Sequence, residues 1–408
     1  MTYEQALECA KAHGQEHLLK YYDELDDAQK ASLLKQISEI DYSLLDKIGH
    51  KDDAVDDVIE ELPGAMKLDE IAARKDELER AGAYAIRNYE VGCVLLAGGQ
   101  GTRLGSDNPK GMYDIGVTHP LYIFEMQIRN LMEVVDKCGV WVPLFIMTSD
   151  KNDTVTRAFF EEKNYFGYNK EYVYFFVQQM APSCDYNGKI YMEAKDKISL
   201  SPNGNGGWFT SLAYSDAWQA VKKYGVKWLN VYAVDNVLQK MADPLFVGAT
   251  ILSGCPVGAK AVAKVAPDEK VGVLCRRNGK PSIVEYYELT EEMMYAKNVA
   301  GEPAYNYGVI LNYLFKVEDL EKIANNEMPL HVVEKKIPHI DENGNYIKPT
   351  SPNGYKFETL ILDMIYLMDD CLTFEVDRNK EFAPIKNATG VDSVESARVL
   401  LQKNGVEL

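Results

Sequence analysis

Histidine is scarce in this chain, with six residues in 408. None stands in a triad-like context or at zinc-ligand spacing, so neither a hydrolytic triad nor a zinc centre is expected. The seven cysteines are dispersed and odd in number, with no Cys-x-x-Cys pair. That excludes a disulfide framework and reads as buried thiols in a reducing, cytoplasmic setting. No apolar run approaches the roughly 20 residues of a membrane span. The opening Met1-Thr2-Tyr3-Glu4 has no basic region and no apolar stretch, so no secretory signal is expected. Internal repeats and low-complexity tracts are also missing. Positive charge is short as well: 44 Lys and Arg against 62 Asp and Glu give a formal net charge of -18. Such a balance argues against nonspecific nucleic-acid binding, and any phosphate site must be a local basic pocket. What remains is a chain long enough for a sizeable core and two or three domains.

A basic pocket has an obvious place. An apolar stretch at 91–96 reads as a buried strand. It runs into AGGQGTRLG at 97–105, closed by Pro109-Lys110-Gly111-Met112. Glycines let the backbone approach a ligand and turn its N–H groups inward. Arg103 and Lys110 add charge where a polyphosphate would lie. The run is not a Walker loop, which needs Gly-Lys-Ser/Thr, and its glycines do not fit Gly-x-Gly-x-x-Gly. A plain strand-to-helix turn would need neither cation. The chemistry suggested is the handling of a nucleoside triphosphate.

Periodicity divides the chain into three parts. Residues 1–88 read as an N-terminal helical segment: Leu7, Ala10, Leu18, Leu19, Tyr22, Leu25, Leu33, Leu34, Ile37 and Ile40 recur at helical spacing. Ser43 and Asp52 look like cap or turn residues there. Residues 89–390 read as an α/β catalytic domain. Strands at 91–96, 142–147, 172–177 and 228–234 alternate with helices at 121–134, 155–164 and 212–224. This predicts a largely parallel sheet with ligands at the carboxyl ends of its strands. Beyond 255 strands dominate, at 258–265, 271–276, 282–287 and 372–376, with Asn278-Gly279 as a hairpin turn. Residues 391–408 read as a short C-terminal helix and tail.

The AGGQGTRLG…PKGMYD wording resembles the signature of sugar-nucleotide pyrophosphorylases. It is most similar to the eukaryotic-type UDP-N-acetylhexosamine (UDP-N-acetylglucosamine) pyrophosphorylases. His17-Leu18-Leu19, the stretch 202–207, Val234-Asp235-Asn236, Val284-Glu285-Tyr286 and Pro384-Ile385-Lys386-Asn387 recur in that family's order, so the resemblance covers nearly the whole chain. It implies a Rossmann-like nucleotidyltransferase fold of glycosyltransferase-A type, with a mixed sheet. It implies uridylyl transfer between UTP and a sugar 1-phosphate, N-acetylglucosamine 1-phosphate first, with Mg²⁺. The nucleophile in such a reaction arrives already anionic, so no catalytic Ser, Cys or His is required. That suits the shortage of histidine.

The resemblance also implies roles. Arg103 and Lys110 would take the α-phosphate and the leaving pyrophosphate. The backbone of Leu96, Gly98 and Gly99 would cradle the nucleotide. Gln178 would read uracil, since an amide donates and accepts at once; Gln179 beside it is the alternative. Gly204 would contact uracil and Asn205 the sugar. Asp235, at the end of a strand, suits Mg²⁺ held between a carboxylate and phosphates; a helix cap is the plainer reading. Glu285, a carboxylate in an apolar strand, needs a partner, and sugar hydroxyls would serve. Gly272 would let the sugar reach the backbone, and Lys386 would hold the sugar phosphate, with Lys264 in support.

Three positions depart from the family's sugar pocket. Its asparagine falls on Val309, with Asn306 and Asn312 nearby to replace it. Two aromatics fall on Leu360 and Leu362. These departures favour glucose or galactose 1-phosphate as the alternative sugar. Two other classes remain. A glycosyltransferase usually carries Asp-x-Asp, whereas Asp235 is followed by Asn236 and Val237. A non-enzymatic sugar-nucleotide sensor would be expected to lose Arg103, Lys110 or Asp235.

Overall fold

The computed structural model describes residues 1–49, 57–324 and 328–408; Asp52 lies outside them. The chain forms two compact units. The larger is built from 56–178, 208–327 and 362–408, the smaller from 1–55, 179–207 and 328–361. These units do not follow the linear division 1–88, 89–390 and 391–408. The helix Lys75–Arg87 and the C-terminal helix Val394–Lys403 both belong to the larger one.

Ten strands make the main sheet of the larger unit. They are β1 (Ile59–Glu61), β2 (Val91–Leu96), β3 (Leu144–Thr148), β4 (Val173–Val177), β5 (Trp228–Ala233), β6 (Val257–Ala263), β7 (Val273–Arg277), β8 (Lys280–Val284), β9 (Tyr307–Lys316) and β10 (Cys371–Glu375). The order is β1-β7-β9-β5-β2-β3-β4, with β6 between β9 and β10, and β8 paired to β7. β5, β2, β3 and β4 are parallel, while β9 runs antiparallel to both β5 and β6. The expected α/β class with a mixed sheet is what forms. β2 and β3 are buried along their whole length, as continuous apolar runs covered on both faces should be.

The parallel strands end together. Leu96 pairs with both Ala233 and Met147, and Thr148 pairs with Val177. Their carboxyl ends therefore form one edge, from which the glycine-rich loop, Gln178 and Asp235 depart. Asn278 (φ 54°) and Gly279 (φ 79°) make the tight turn between β7 and β8 at the expected place. The expected helix at 212–224 is instead two, Trp208–Ala213 and Trp218–Tyr224. Ser215 Oγ donates to the Leu212 carbonyl at 2.8 Å, competing with the helical bond.

Behind the sheet the helices Lys75–Arg87 and Pro244–Ser253 cross at two glycines. A Cβ on Gly248 would lie 1.8 Å from the Leu78 carbonyl oxygen, and one on Gly82 would lie 1.9 Å from that of Pro244. Backbone cannot yield as a side chain does. Gly248→Ala should therefore cost about 3 kcal/mol, the upper part of the usual overpacking range. Urea melts would check this, and an unchanged midpoint would mean the helices slide apart freely.

The smaller unit has its own core. The helices Tyr3–Ala12 and Asp27–Glu39 bring Ala6, Leu33 and Ile37, and the 3-10 turn Glu16–Leu19 brings Leu18, against Ile190, Met192 and Ile198. Its three-stranded sheet pairs Gly354–Glu358 with His331–Lys335 and with Cys184–Asp185. Ser43 lies in a 3-10 turn whose cap is Asp41, the Asp41 carboxylate accepting both the Ser43 N–H and its hydroxyl.

Candidate active site

The glycine-rich loop is anchored at its root. The Ala97 N–H donates to the Met147 carbonyl at 2.9 Å, and its own carbonyl accepts from Asn152 Nδ2 at 3.0 Å. The chain then turns back on itself. Gly101 N–H donates to the Asn108 carbonyl at 2.9 Å and Lys110 N–H to the Gly99 carbonyl at 3.2 Å. Lys110 is thus brought back beside the start of the loop. Among the described residues no carbonyl receives the N–H of Gly98 or Gly99. A Cβ on Gly99 would meet open space. This is backbone left open to an incoming anion.

Four charges converge on this loop. Lys110 Nζ lies 3.7 Å from Asp235 Oδ2, both side chains being mostly buried. Burial pulls the Lys110 ammonium below its ordinary range; Asp235 opposes this, while Lys386 and Arg103 add to it. The expected phosphate cations Arg103 and Lys386 therefore both act on Lys110, which lies beside Asp235. Arg103 is exposed, on the 3-10 turn Thr102–Leu104. Lys386 is held by Asp392, Nζ to Oδ2 at 3.2 Å. Lys264 stands apart: its Nζ is buried with no hydrogen-bond partner among the described residues, and the charges acting on it are Glu269 and Asp268.

Asp235 follows β5 in a loop pinned by amides. Gln127 Nε2 donates to the carbonyls of Val234 (3.0 Å) and Asn236 (2.9 Å), and Asn130 Nδ2 to those of Val237 and Gln239 (both 3.0 Å). Both donors come from the helix Ile123–Cys138. Asp235 caps no helix among the described residues; the next one, Pro244–Ser253, is capped by Asp243.

Gln178 is buried, its N–H donating to the Thr148 carbonyl at 2.9 Å. Its amide packs on Gly98, where a Cβ would lie only 2.4 Å from Nε2. Gln179 is exposed. Leu96 ends β2 directly beneath.

The sugar candidates divide between the units. In the larger, Gly272 faces Glu285: a Cβ there would lie 3.5 Å from Glu285 Oε1. Burial, and then Glu288, push the Glu285 carboxyl above its usual range, while Lys386 pulls it back. Glu285 and Lys386 are thus neighbours. Val309 donates its N–H to the Gly272 carbonyl at 2.9 Å. Asn312 is fully buried and bonded to Asn230 Nδ2 and the Lys240 carbonyl, so it serves the core. Asn306 is half-buried, and its carbonyl accepts the Lys264 N–H at 2.9 Å. In the smaller unit Gly204 (φ 87°) lies against the Thr359 backbone, and Asn205 Oδ1 accepts the Ile361 N–H at 3.0 Å. This fixes Leu360 beside the loop of Gly204. Leu362 belongs to the larger unit.

Sequence reasoning missed the residues that hold these groups, among them Lys260, fully buried on β6, and Glu381. Nothing local marks them, because their partners are far away in sequence. Among the described residues no three His, Cys, Asp or Glu side chains cluster as a metal site, and no helix is long and apolar enough to cross a membrane.

The chain is similar to known proteins over most of its length. Residues 44–408 match the family model of UTP–glucose-1-phosphate uridylyltransferase. The UDP-N-acetylglucosamine pyrophosphorylase of Saccharomyces cerevisiae is 40% identical over 348 residues, covering 81% of this chain and 72% of its own length. The UDP-N-acetylhexosamine pyrophosphorylase-like protein 1 of Xenopus tropicalis is 35% identical over 410 residues, 94% of this chain and 80% of its own. Among solved structures, UDP-N-acetylglucosamine pyrophosphorylase from Trypanosoma brucei superposes with a TM-score of 0.84 at 28% identity, over 98% of this chain and 84% of that one. Matched by the family model over residues 44–408 and 40% identical over 81% of its length to a relative, the chain belongs to the UTP–glucose-1-phosphate uridylyltransferase family.

Proposed function

We propose that the protein is a UTP-dependent uridylyltransferase that makes a UDP-sugar and pyrophosphate from a sugar 1-phosphate, with N-acetylglucosamine 1-phosphate as its substrate. The observation that carries this is the gathering of charge at Lys110, with Asp235 at 3.7 Å and Lys386 and Arg103 near enough to act on it, beside the open N–H groups of Gly98 and Gly99. In the reaction a phosphate oxygen of the sugar 1-phosphate attacks the α-phosphorus of UTP in line. The new P–O bond forms as the bond to the β-phosphate oxygen breaks, and pyrophosphate leaves with the electron pair. No proton need move, so the chain's task is to align two polyanions and neutralise their charge.

The residues divide this work by place. Lys110 and Arg103 take the α-phosphate and the departing pyrophosphate, and Lys386 takes the sugar phosphate, releasing Asp392 to do so. Gln178 reads the uracil edge. Its buried amide supports that choice over exposed Gln179. Asp235 would hold Mg²⁺: a single carboxylate leaves most of the coordination shell to phosphate oxygens and water, which fits the habits of that ion. Bound there, the metal would neutralise charge on the nucleotide phosphates. Glu285 accepts from sugar hydroxyls across from Gly272. Seven unpaired cysteines support a cytoplasmic setting.

Gly98→Ala tests the nucleotide half. The added methyl displaces the Gln178 amide. The Michaelis constant for UTP should rise about tenfold, or about 1.4 kcal/mol, with a smaller change for the sugar phosphate. Steady-state kinetics with each substrate varied would show it, and an unchanged UTP constant would remove Gln178 from the uracil site.

Val309, Leu360 and Leu362 favour a second reading, the same reaction on glucose or galactose 1-phosphate. Pyrophosphate release from UTP and Mg²⁺ with N-acetylglucosamine, N-acetylgalactosamine, glucose and galactose 1-phosphates decides between them. Preference for an N-acetylated sugar keeps the first reading, and preference for a plain hexose replaces it. Release with none would sink uridylyl transfer and leave a binding role.

A further inference from the structure

Around the phosphate site, two stretches distant in sequence must be held in register: the loop of Asp235 and the segment of Lys386. A fully buried lysine joins them. Lys260 Nζ, on β6, donates to Glu381 Oε2 at 2.6 Å and to the Lys240 carbonyl at 3.0 Å, and reaches Asp243 Oδ2 at 3.2 Å. Glu381 shortly precedes Lys386, while Lys240 and Asp243 close the loop of Asp235. One ammonium thus grips both. Its neighbour strand is irregular at the same level: the β6–β9 register shifts between Ala259 and Ala261, and Leu311 is forced to φ 52°.

Asn236 makes a second tie. Its Nδ2 donates to the Glu381 carbonyl at 2.7 Å, and its Oδ1 accepts the Ala383 N–H at 2.9 Å. The Ile385 N–H then donates to the Asp235 carbonyl at 2.9 Å. Lys260 and Asn236 are both buried. A buried ion pair is weak evidence for stability, because apolar side chains of the same volume often do as well. It does fix relative position, and in-line transfer depends on position: an error near 1 Å can cost about a hundredfold in rate.

We infer that Lys260, acting through Glu381, and Asn236 are positioning residues that set Lys386 against Asp235, so that the sugar phosphate is presented in line to the nucleotide. The inference rests on the uridylyltransferase reading above. Lys260→Met keeps the stem and loses the grip; Glu381→Gln keeps the shape and loses the charge. In Lys260→Met, kcat should fall at least tenfold and the Michaelis constant for the sugar 1-phosphate should rise at least threefold. UTP affinity, measured by calorimetry without sugar phosphate, should stay within twofold. Hydrogen exchange at the Ile385 amide should speed up at least tenfold while β2 and β3 stay protected. Glu381→Gln should show the same split, smaller. A drop in melting temperature with unchanged kinetic constants would overturn the proposal, as would equal losses for both substrates. If Lys260→Met does not fold, Glu381→Gln and Asn236→Ala decide by the same criteria. Should the unaltered protein prove inert with every sugar 1-phosphate, the uridylyl reading fails. Exchange at Ile385 still judges the tie: faster exchange in the variants supports it, and unchanged exchange overturns it.

Discussion

Replacing Lys110 with alanine should lower kcat by about 10²–10³-fold, the usual cost of removing one donor aimed at transition-state charge, without weakening the fold. Both halves follow from its surroundings. Lys110 sits where burial and the charges of Lys386 and Arg103 disfavour its ammonium, with Asp235 at 3.7 Å as the opposing attraction. A lysine whose folded pKa is depressed below its unfolded value adds no stability in its charged form at neutral pH, so its removal leaves the melting temperature level or raises it. A phosphate arriving at the site supplies the missing counter-charge. The same depression predicts a pH effect: kcat/KM should decline on the alkaline side before the ordinary lysine value of 10.5 is reached, as the free enzyme loses the proton. Lys110→Arg should move that limb to higher pH, because arginine does not titrate there. Near-normal turnover in Lys110→Ala would remove it from the phosphate site.

Chelation should stop the reaction outright. With excess EDTA we expect no detectable pyrophosphate release, and full recovery when Mg²⁺ is restored. Asp235→Asn should lose about 10²–10³-fold and require more Mg²⁺ for half-maximal rate. Among the described residues no cluster of three metal-binding side chains exists, so Mg²⁺ held by Asp235 would draw its other ligands from phosphate and water. It would then arrive with the nucleotide, and metal affinity measured without UTP should be weak. Turnover that persists in EDTA would leave Asp235 as a partner of Lys110 and no more.

The parts of the chain that read clearly were those whose signal is local. β2 and β3 are continuous apolar runs, and Asn278-Gly279 can hardly be anything but a tight turn. β9 lacks such a signal, since it carries the buried Asn312 and is irregular at Leu311, where φ is 52°. The glycine-rich loop announced its cations, and Arg103, Lys110, Lys386 and Asp235 do meet. Lys264 looked equivalent in sequence but answers to Glu269 and Asp268. Asn312 looked available for a sugar but is spent on Asn230 and Lys240. In each case the deciding partner lies far along the chain, where composition and spacing carry no information. The smaller unit shows this most strongly, being assembled from three stretches that no periodicity connects.

That assembly bears on how the protein is made. The chain passes between the units five times. As it leaves the ribosome, the smaller unit waits for Gly354–Glu358, the middle strand of its sheet. The larger waits for β10, which pairs with β6, and for Lys386. Until nearly all of the chain has emerged, each unit presents an unpaired strand edge and an unfinished core, the condition in which nascent proteins most readily stick to one another. Two folding units here do not mean two successive folding events. Neither sheet is complete before residues 354–375 are present, and the stretch that completes the main sheet is followed closely by Lys386.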